Sequence, residues 1–273
     1  MNVLICGDIV GISGRNAIEK HLPRIKKKFS PDFILLNVDN AAGGFGITAD
    51  VANSFFKLGA NILTGGNHVF DQNGVAALLE NDRRVLRPYN LPASIPGFGV
   101  SETLLRNGKT VVVVHLIGQR YMPLTSNDPF ESVAKLLTKY TLGKNVAAIL
   151  VDFHAELTSE KNAMGHFLDG KVSAVVGTHT HIPTSDERIL EFGTAFQTDI
   201  GMTGDYDSII GMKKESAIVR FTKIHSRIKF LSATGDGTLC GLIVEIDDDT
   251  GLAKSTTPIR LGGRLSQTDI DSV

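Results

Sequence analysis

The chain has 273 residues, 42% of them hydrophobic, and carries a formal net charge of −1 at pH 7. That balance leaves no broad cationic field for duplex nucleic acid, although small phosphorylated ligands stay open because a bound metal supplies positive charge locally. Two cysteines, Cys6 and Cys240, stand far apart and outside any CxxC spacing, which excludes a disulfide framework or zinc ribbon and fits a reducing compartment.

No basic leader precedes the first apolar run, and no apolar stretch reaches membrane-spanning length, so the expectation is a cytoplasmic protein without a membrane partner. There is no repeat, low-complexity tract or linker, which points to a single domain over residues 1–273. Val3–Cys6 is a short apolar strand. A helix follows with Ile18, Leu22, Ile25 and Phe29 on one face; Pro23 inside that stripe is expected to kink it, and Lys26–Lys28 forms its solvated end. Phe33–Val38 is the next strand. Thr48 caps a helix carrying Val51, Phe55 and Leu58, and Gly59 ends it.

Ala60–Thr64 reads as strand and the region of Gln72–Glu80 as a short helix. Val111–Ile117 is strand, and Asp128–Pro129 opens a helix to about Tyr140 with proline at its first position. Ala147–Val151 and Val172–Val176 are strands flanking a helix over Ser159–Leu168. Beyond residue 190 the pattern changes: Thr194–Thr198, Glu215–Phe221, Arg227–Ala233 and Leu239–Ile246 read as strands without intervening helices. The expectation is therefore a βαβ-like N-terminal part and an antiparallel C-terminal meander, arranged as two sheets with helices outside.

Polar groups able to bind metal recur where strands end. Asp8 follows the first strand, Asp39–Asn40 the second, Asn67–His68 the third, His154 the strand at Ala147–Val151, and His179 and His181 the strand at Val172–Val176. In open α/β sheets that edge is where ligands bind. Imidazole, carboxylate and amide oxygens without thiolate suit borderline divalent ions such as Mn, Fe or Zn. Six or seven ligands are too many for one tetrahedral zinc and favour two ions, roughly 3.5–4 Å apart in known binuclear sites. Each residue alone has an ordinary reading: Asp8 as a turn acceptor, His154 as a satisfied core histidine. The conjunction at five strand ends carries the metal reading. His21, His166 and His225 fit no such pattern, and His115 interrupts a valine-rich strand as core or near-site packing.

Gly7, Gly11 and Gly14 lie between the first strand and helix but lack the G-x-G-x-x-G spacing of a dinucleotide turn, and there is no P-loop lysine. They are expected to let the backbone turn tightly around a ligand.

Asp8-x-Val10, Asp39–Asn40–Ala–Ala–Gly–Gly, Gly66–Asn67–His68, Asp152–Phe–His154–Ala–Glu156 and Gly177–Thr–His179–Thr–His181 together resemble the YmdB-like bacterial family of calcineurin-like metallophosphoesterases. The likeness runs nearly end to end, through Arg87–Pro88, Thr158–Lys161 and Asp199–Gly204. It implies a four-layer α/β/β/α sandwich with two central mixed sheets, and phosphodiesterase activity with 2',3'-cyclic nucleotides as characteristic substrates. It implies that Asp8, Asn40 and His181 hold one metal, that Asn67, His154 and His179 hold the other, that position 39 bridges them, and that His68 is the acid catalyst. Iron or manganese would be the resident metals, with zinc as a further candidate, and assembly into a homo-oligomer would follow the family's habit. Many related phosphoesterases have Asp-x-His at the first motif; Val10 replaces that histidine, and Asn40 is its expected substitute. The family usually has Glu–Asn where this chain has Asp39–Asn40, and Asp205 stands where the family tends to have proline, in a loop expected to border the substrate mouth.

The mechanism this implies is in-line attack on phosphorus by a hydroxide bridging the metals, with His68 protonating the departing sugar oxygen. Asp71 could orient His68 or cap the next helix. The rival readings are a phosphomonoesterase using the same metals and a regulatory protein that binds cyclic nucleotide or RNA with negligible turnover.

Overall fold

Alternate residues of the first strand face two different cores, and this alternation organises the whole molecule. The computed structural model describes residues 1–223 and 228–271. In chain order the elements begin with β1 (Asn2–Cys6), α1 (Gly11–Phe29), β2 (Phe33–Asn37), α2 (Ala49–Leu58), β3 (Ile62–Thr64), α3 (Val75–Asn81) and β4 (Val85–Leu86). They continue with β5 (Val100–Leu104), β6 (Thr110–Ile117), α4 (Pro129–Leu137), β7 (Ala148–His154), α5 (Thr158–Leu168), β8 (Ala174–Thr178), β9 (Arg188–Ile189) and β10 (Ala195–Gln197). The last are α6 (Lys214–Thr222), β11 (Leu239–Ile246) and β12 (Ala253–Leu261).

The strands form two six-stranded mixed sheets, ordered β12-β11-β1-β2-β3-β4 and β5-β6-β7-β8-β10-β9. Val3, Ile5, Phe33 and Leu35 point from the first sheet toward Val111, Val113, Leu150 and Val176 of the second, making an inner core. The opposite face of the first sheet, with Leu4, Ile34 and Leu36, packs on Ile18, Leu22 and Ile25 of α1 and Phe55 of α2. Val112, Val114, Ile149 and Val151 of the second sheet pack on Val133 of α4 and Met164 of α5. Helix–sheet–sheet–helix layering follows, as expected. Strands buried on both faces read as continuous apolar runs, which is why the sequence shows them without polar alternation.

Local chemistry sets the helix ends. Thr48 caps α2 by accepting from Val51 N, Gly59 ends it at φ 103°, and Asp128 accepts from Phe130 N and Glu131 N ahead of Pro129. Helix α1 continues through Pro23 to Phe29, and α4 stops at Leu137, short of Tyr140.

The C-terminal meander is a correction. Glu215–Phe221 lies in helix α6, where Ala217 N bonds to Lys213 O. The apolar run Ala217–Val219 reads as strand, but the segment pairs with no strand among the described residues, and local helical bonds satisfy its backbone instead. Arg227 lies outside the described residues, and over 228–233 there is only an isolated bridge from Ser232 to Met212. β10 pairs parallel with β8 and antiparallel with β9 in the second sheet, while β11 and β12 form an antiparallel hairpin in the first. β12 is missed by hydrophobic pattern because it is a polar edge strand, the kind of place where Pro258 is tolerated. Among the described residues no helix is long and apolar enough to cross a membrane.

Candidate metal centre

The C-terminal ends of β1, β2 and β3 meet those of β7 and β8 across the gap between the sheets, bringing all the candidate ligands into one region. Asp8 lies two residues beyond β1, Asp39 two beyond β2, Asn67 three beyond β3, and His179 one beyond β8. His154 is the final residue of β7, which runs further than its apolar pattern indicates because Asp152 and His154 continue the ladder with β6.

Asp8, Asp39 and His154 are completely buried. Each carboxylate accepts from one backbone amide: Asp8 Oδ2 from His179 N at 3.1 Å, and Asp39 Oδ1 from His68 N at 2.9 Å. The remaining oxygens, Asp8 Oδ1 and Asp39 Oδ2, are buried without a hydrogen bond, and so is Asn40 Oδ1. Such groups cost roughly 1–3 kcal/mol each when left unsatisfied, and more when charged.

The imidazoles are fixed from behind. Thr178 Oγ1 gives its proton to Asp152 Oδ1 at 2.8 Å, so at 3.0 Å it accepts from His154 Nδ1. His154 Nε2 then faces Asn67 Oδ1 at 3.0 Å and Asp39 Oδ2 at 3.3 Å. Burial disfavours a charge on this ring, but Asp39, Asp8 and Asp152 outweigh it and hold the His154 imidazole above its ordinary range, so the oxygens around Nε2 favour a positive charge there. His181 Nδ1 donates to the Ile210 carbonyl at 2.8 Å, leaving Nε2 3.9 Å from Asp8 Oδ1. His179 Nε2 lies 3.1 Å from Glu156 Oε2, and its ring sits 4.8 Å from that of His154. Outer partners of this kind orient metal-binding histidines. Among the described residues no three His, Cys, Asp or Glu side chains close on one point as an ion-holding group. The donor set that gathers here is mixed, with amide oxygens beside carboxylates and imidazoles, and its chemistry fits divalent metal.

Burial pushes the Asp8 carboxyl above its ordinary range despite the charges of His181 and His154. Burial also acts on Asp39, but the charges of His154 and His68 outweigh it and hold that carboxyl low. His179 is driven down to about 2, by burial and then by the charges of His154 and His181. A ring held neutral in this way is a ligand ready for a cation.

Close approach explains Gly66. A Cβ there would lie 2.3 Å from the His154 ring, so only glycine lets the β3 loop reach under it. Close approach also explains two glycines after β1: a Cβ at Gly7 would meet Gly201 O at 1.7 Å and one at Gly14 would meet Thr203 O at 2.3 Å. These two admit the 201–203 backbone, while Gly11 turns the chain at φ 56°, where a Cβ would meet the Ser232 side chain at 2.7 Å.

Val10 and Asn40 are paired by an isolated parallel bridge, which puts the Asn40 side chain beside the position where a histidine is lacking. His68 Nδ1 lies 2.7 Å from Asp71 Oδ2, while α3 begins at Val75 with Gly74 at its cap position. Asp71 therefore orients His68 and does not cap the helix. Asp205 is buried, accepting from Asp207 N and Gly235 N, and so staples its loop.

The sequence reading misses the hub behind the ligands. Asp152 accepts from Asn37 Nδ2 at 2.9 Å, Thr64 Oγ1 at 2.6 Å and Thr178 Oγ1, with His115 Nδ1 3.3 Å away. The only signal was polar residues interrupting apolar strands at 37, 64, 115 and 152.

The family model for YmdB-like protein matches residues 4–259. A relative from Bacillus subtilis (strain 168), named 2',3'-cyclic-nucleotide 2'-phosphodiesterase, is 42% identical over 250 residues, covering 92% of this chain and 93% of that protein. Among solved structures, a hypothetical protein from Thermus thermophilus superposes with a TM-score of 0.89 at 35% identity, covering 97% of this chain and 100% of that one. A structure described as a novel phosphatase from Mycoplasma pneumoniae gives 0.88 at 31% identity, covering 96% and 93%.

Proposed function

Because this chain belongs to the YmdB-like family, we propose that it is a phosphodiesterase that hydrolyses 2',3'-cyclic nucleotides at a centre of two divalent metal ions. The observation that carries the reading is the trio of buried oxygens without a hydrogen bond, Asp8 Oδ1, Asp39 Oδ2 and Asn40 Oδ1, among imidazoles already fixed from behind. Asp8, Asn40 and His181 would hold one ion, Asn67, His154 and His179 the other, with Asp39 between them. Oxygen and imidazole donors suit iron or manganese, and also zinc. When bound, such a pair acidifies water and neutralises phosphoryl charge.

The chain's own contribution is to place and shield these groups. Asp8 and Asp39 sit out of water, where their charges act strongly on a cation. His68, half-buried beside Asp39, gives a proton to the departing sugar oxygen, a role of about 10²–10⁴-fold in rate. Asp71 sets its ring. Residues 1–273 act as one domain in this reading, since the two sheets share an inner core that neither could cover alone. The setting proposed is the cytoplasm, with the chain assembled as a homo-oligomer.

The test is elemental analysis of the native protein, coupled to hydrolysis of a 2',3'-cyclic nucleotide and of an aryl phosphate monoester after chelation and metal add-back. About two metals per chain and metal-restored turnover favouring the cyclic diester are expected. Chelator-insensitive activity would sink the metal reading, and preference for the monoester would make the protein a phosphomonoesterase. Tight cyclic-nucleotide binding with no turnover would leave a regulatory binder.

A further inference from the structure

His179 and His181 both lie in the left-handed region of backbone space, at φ 94° and 65°. Non-glycine residues there are strained and persist only when their surroundings over-determine them. Thr180, between them, is held at two points by a single atom. Asp199 Oδ2 accepts from Thr180 N at 3.1 Å and from Thr180 Oγ1 at 2.6 Å. The same oxygen accepts from Lys161 Nζ at 2.8 Å, and Nζ also donates to Thr180 Oγ1 at 3.2 Å.

Lys161 is 1% exposed and Asp199 0%. Lys161 reaches the site from α5 across Gly177, where a Cβ would come within 2.7 Å of its Cδ. On the far side Asp199 Oδ1 accepts from Gly201 N, and Met202 N donates to His181 O. The strained tripeptide is thus gripped at its middle and at its exit.

Stability alone does not account for the ion pair. Replacing a buried pair by apolar residues of similar volume is often neutral or stabilising, because desolvation offsets the attraction. What an apolar pair could not do is offer one anionic oxygen to both donors of Thr180 while a cation holds that oxygen in place. We propose, building on the reading of both histidines as metal ligands, that Lys161, acting through Asp199 and Thr180, is a positioning residue that keeps His179 and His181 in the backbone conformation that aims them at the metal pair.

The experiment is calorimetric titration of the chelated protein with Mn²⁺, together with its melting temperature before metal is added. Five chains are compared: the unaltered protein, His181→Ala, Thr180→Val, Thr180→Ser and the double variant Lys161→Met/Asp199→Leu. Thr180→Val keeps the volume and loses the hydroxyl. It should melt within about 2 °C of the unaltered chain, since released strain offsets the lost bond, yet bind Mn²⁺ at least about tenfold more weakly. The double variant should behave alike, and Thr180→Ser should bind normally.

His181→Ala separates the two levels. If it binds Mn²⁺ as tightly as the unaltered chain, the ligand reading itself falls. If it loses binding while Thr180→Val and the double variant stay within about twofold of the unaltered chain, the clamp is overturned and the ligand reading stands. A parallel fall in melting temperature in both clamp variants would show scaffolding without positioning, and would also overturn it. Should Thr180→Val fail to fold, the double variant decides.

Discussion

His68 and Asp71 are joined by a 2.7 Å contact from Nδ1 to Oδ2 across one turn, which leaves Nε2 as the ring atom able to reach a substrate. The contact is partly exposed, and the His68 ring is steadied on its other side by the edge of Phe45, 5.0 Å away between ring centres.

From this contact, His68→Ala should lower turnover of a 2',3'-cyclic nucleotide by about 10²–10⁴-fold. An aryl diester with a good leaving group should be affected far less, since it departs without a proton. Asp71→Asn should fall between, by about tenfold, because the ring is kept but less well held. Metal content measured by elemental analysis should be unchanged in both; loss of metal would reassign His68 to the ligands.

Gly66→Ala should remove metal binding without unfolding the chain. The added Cβ meets the His154 ring at 2.3 Å, and His154 is completely buried, so ring or loop must move. Overpacking of this kind costs about 1–3 kcal/mol. A cooperative melt with little bound metal is the expected result, and normal metal occupancy would show that His154 can shift at no cost.

Thr178→Val should weaken metal affinity by about 10–100-fold, the usual effect of deleting a group behind a ligand. Its hydroxyl both accepts from His154 Nδ1 and donates to Asp152, so valine of the same shape leaves two buried groups short of a partner. Thr178→Ser should restore affinity in a metal titration; failure of serine to do so would point to the methyl group instead.

Both cysteines should be inert in the folded chain at pH 8. Burial pushes the Cys240 thiol up to about 12, and Cys6 lies higher still for the same reason, so the thiolate fraction at pH 8 is at most about 10⁻⁴. Iodoacetamide should modify neither in buffer and both in guanidinium, with mass spectrometry as the readout. Rapid labelling of the native protein would mean that the β1–β11 region opens readily.

The ligand types and their places at strand ends are legible in the chain itself. Apolar runs mark β1, β2, β3, β7 and β8, and the polar residue at or after the end of each run is near in sequence, so spacing alone finds Asp8, Asp39, Asn67, His154 and His179. Caps at Thr48 and Asp128 are legible for the same reason: their hydrogen bonds span two or three residues. Tertiary structure decides what depends on residues far apart. Asn37 and Asp152 are separated by 115 positions yet share a hydrogen bond that ties the two sheets beneath the site. Lys161, 19 positions from Thr180, reaches it only because Gly177 clears the path. Glu215–Phe221 folds as part of helix α6 and pairs with no strand among the described residues, whereas polar β12 becomes a strand because β11 offers it an edge. The sequence by itself determined which groups are candidate ligands and roughly where along the chain they lie. Their aim, with His154 fixed from Thr178, His181 from Ile210 and His68 from Asp71, came from packing, because a side chain's direction depends on neighbours that local pattern does not contain.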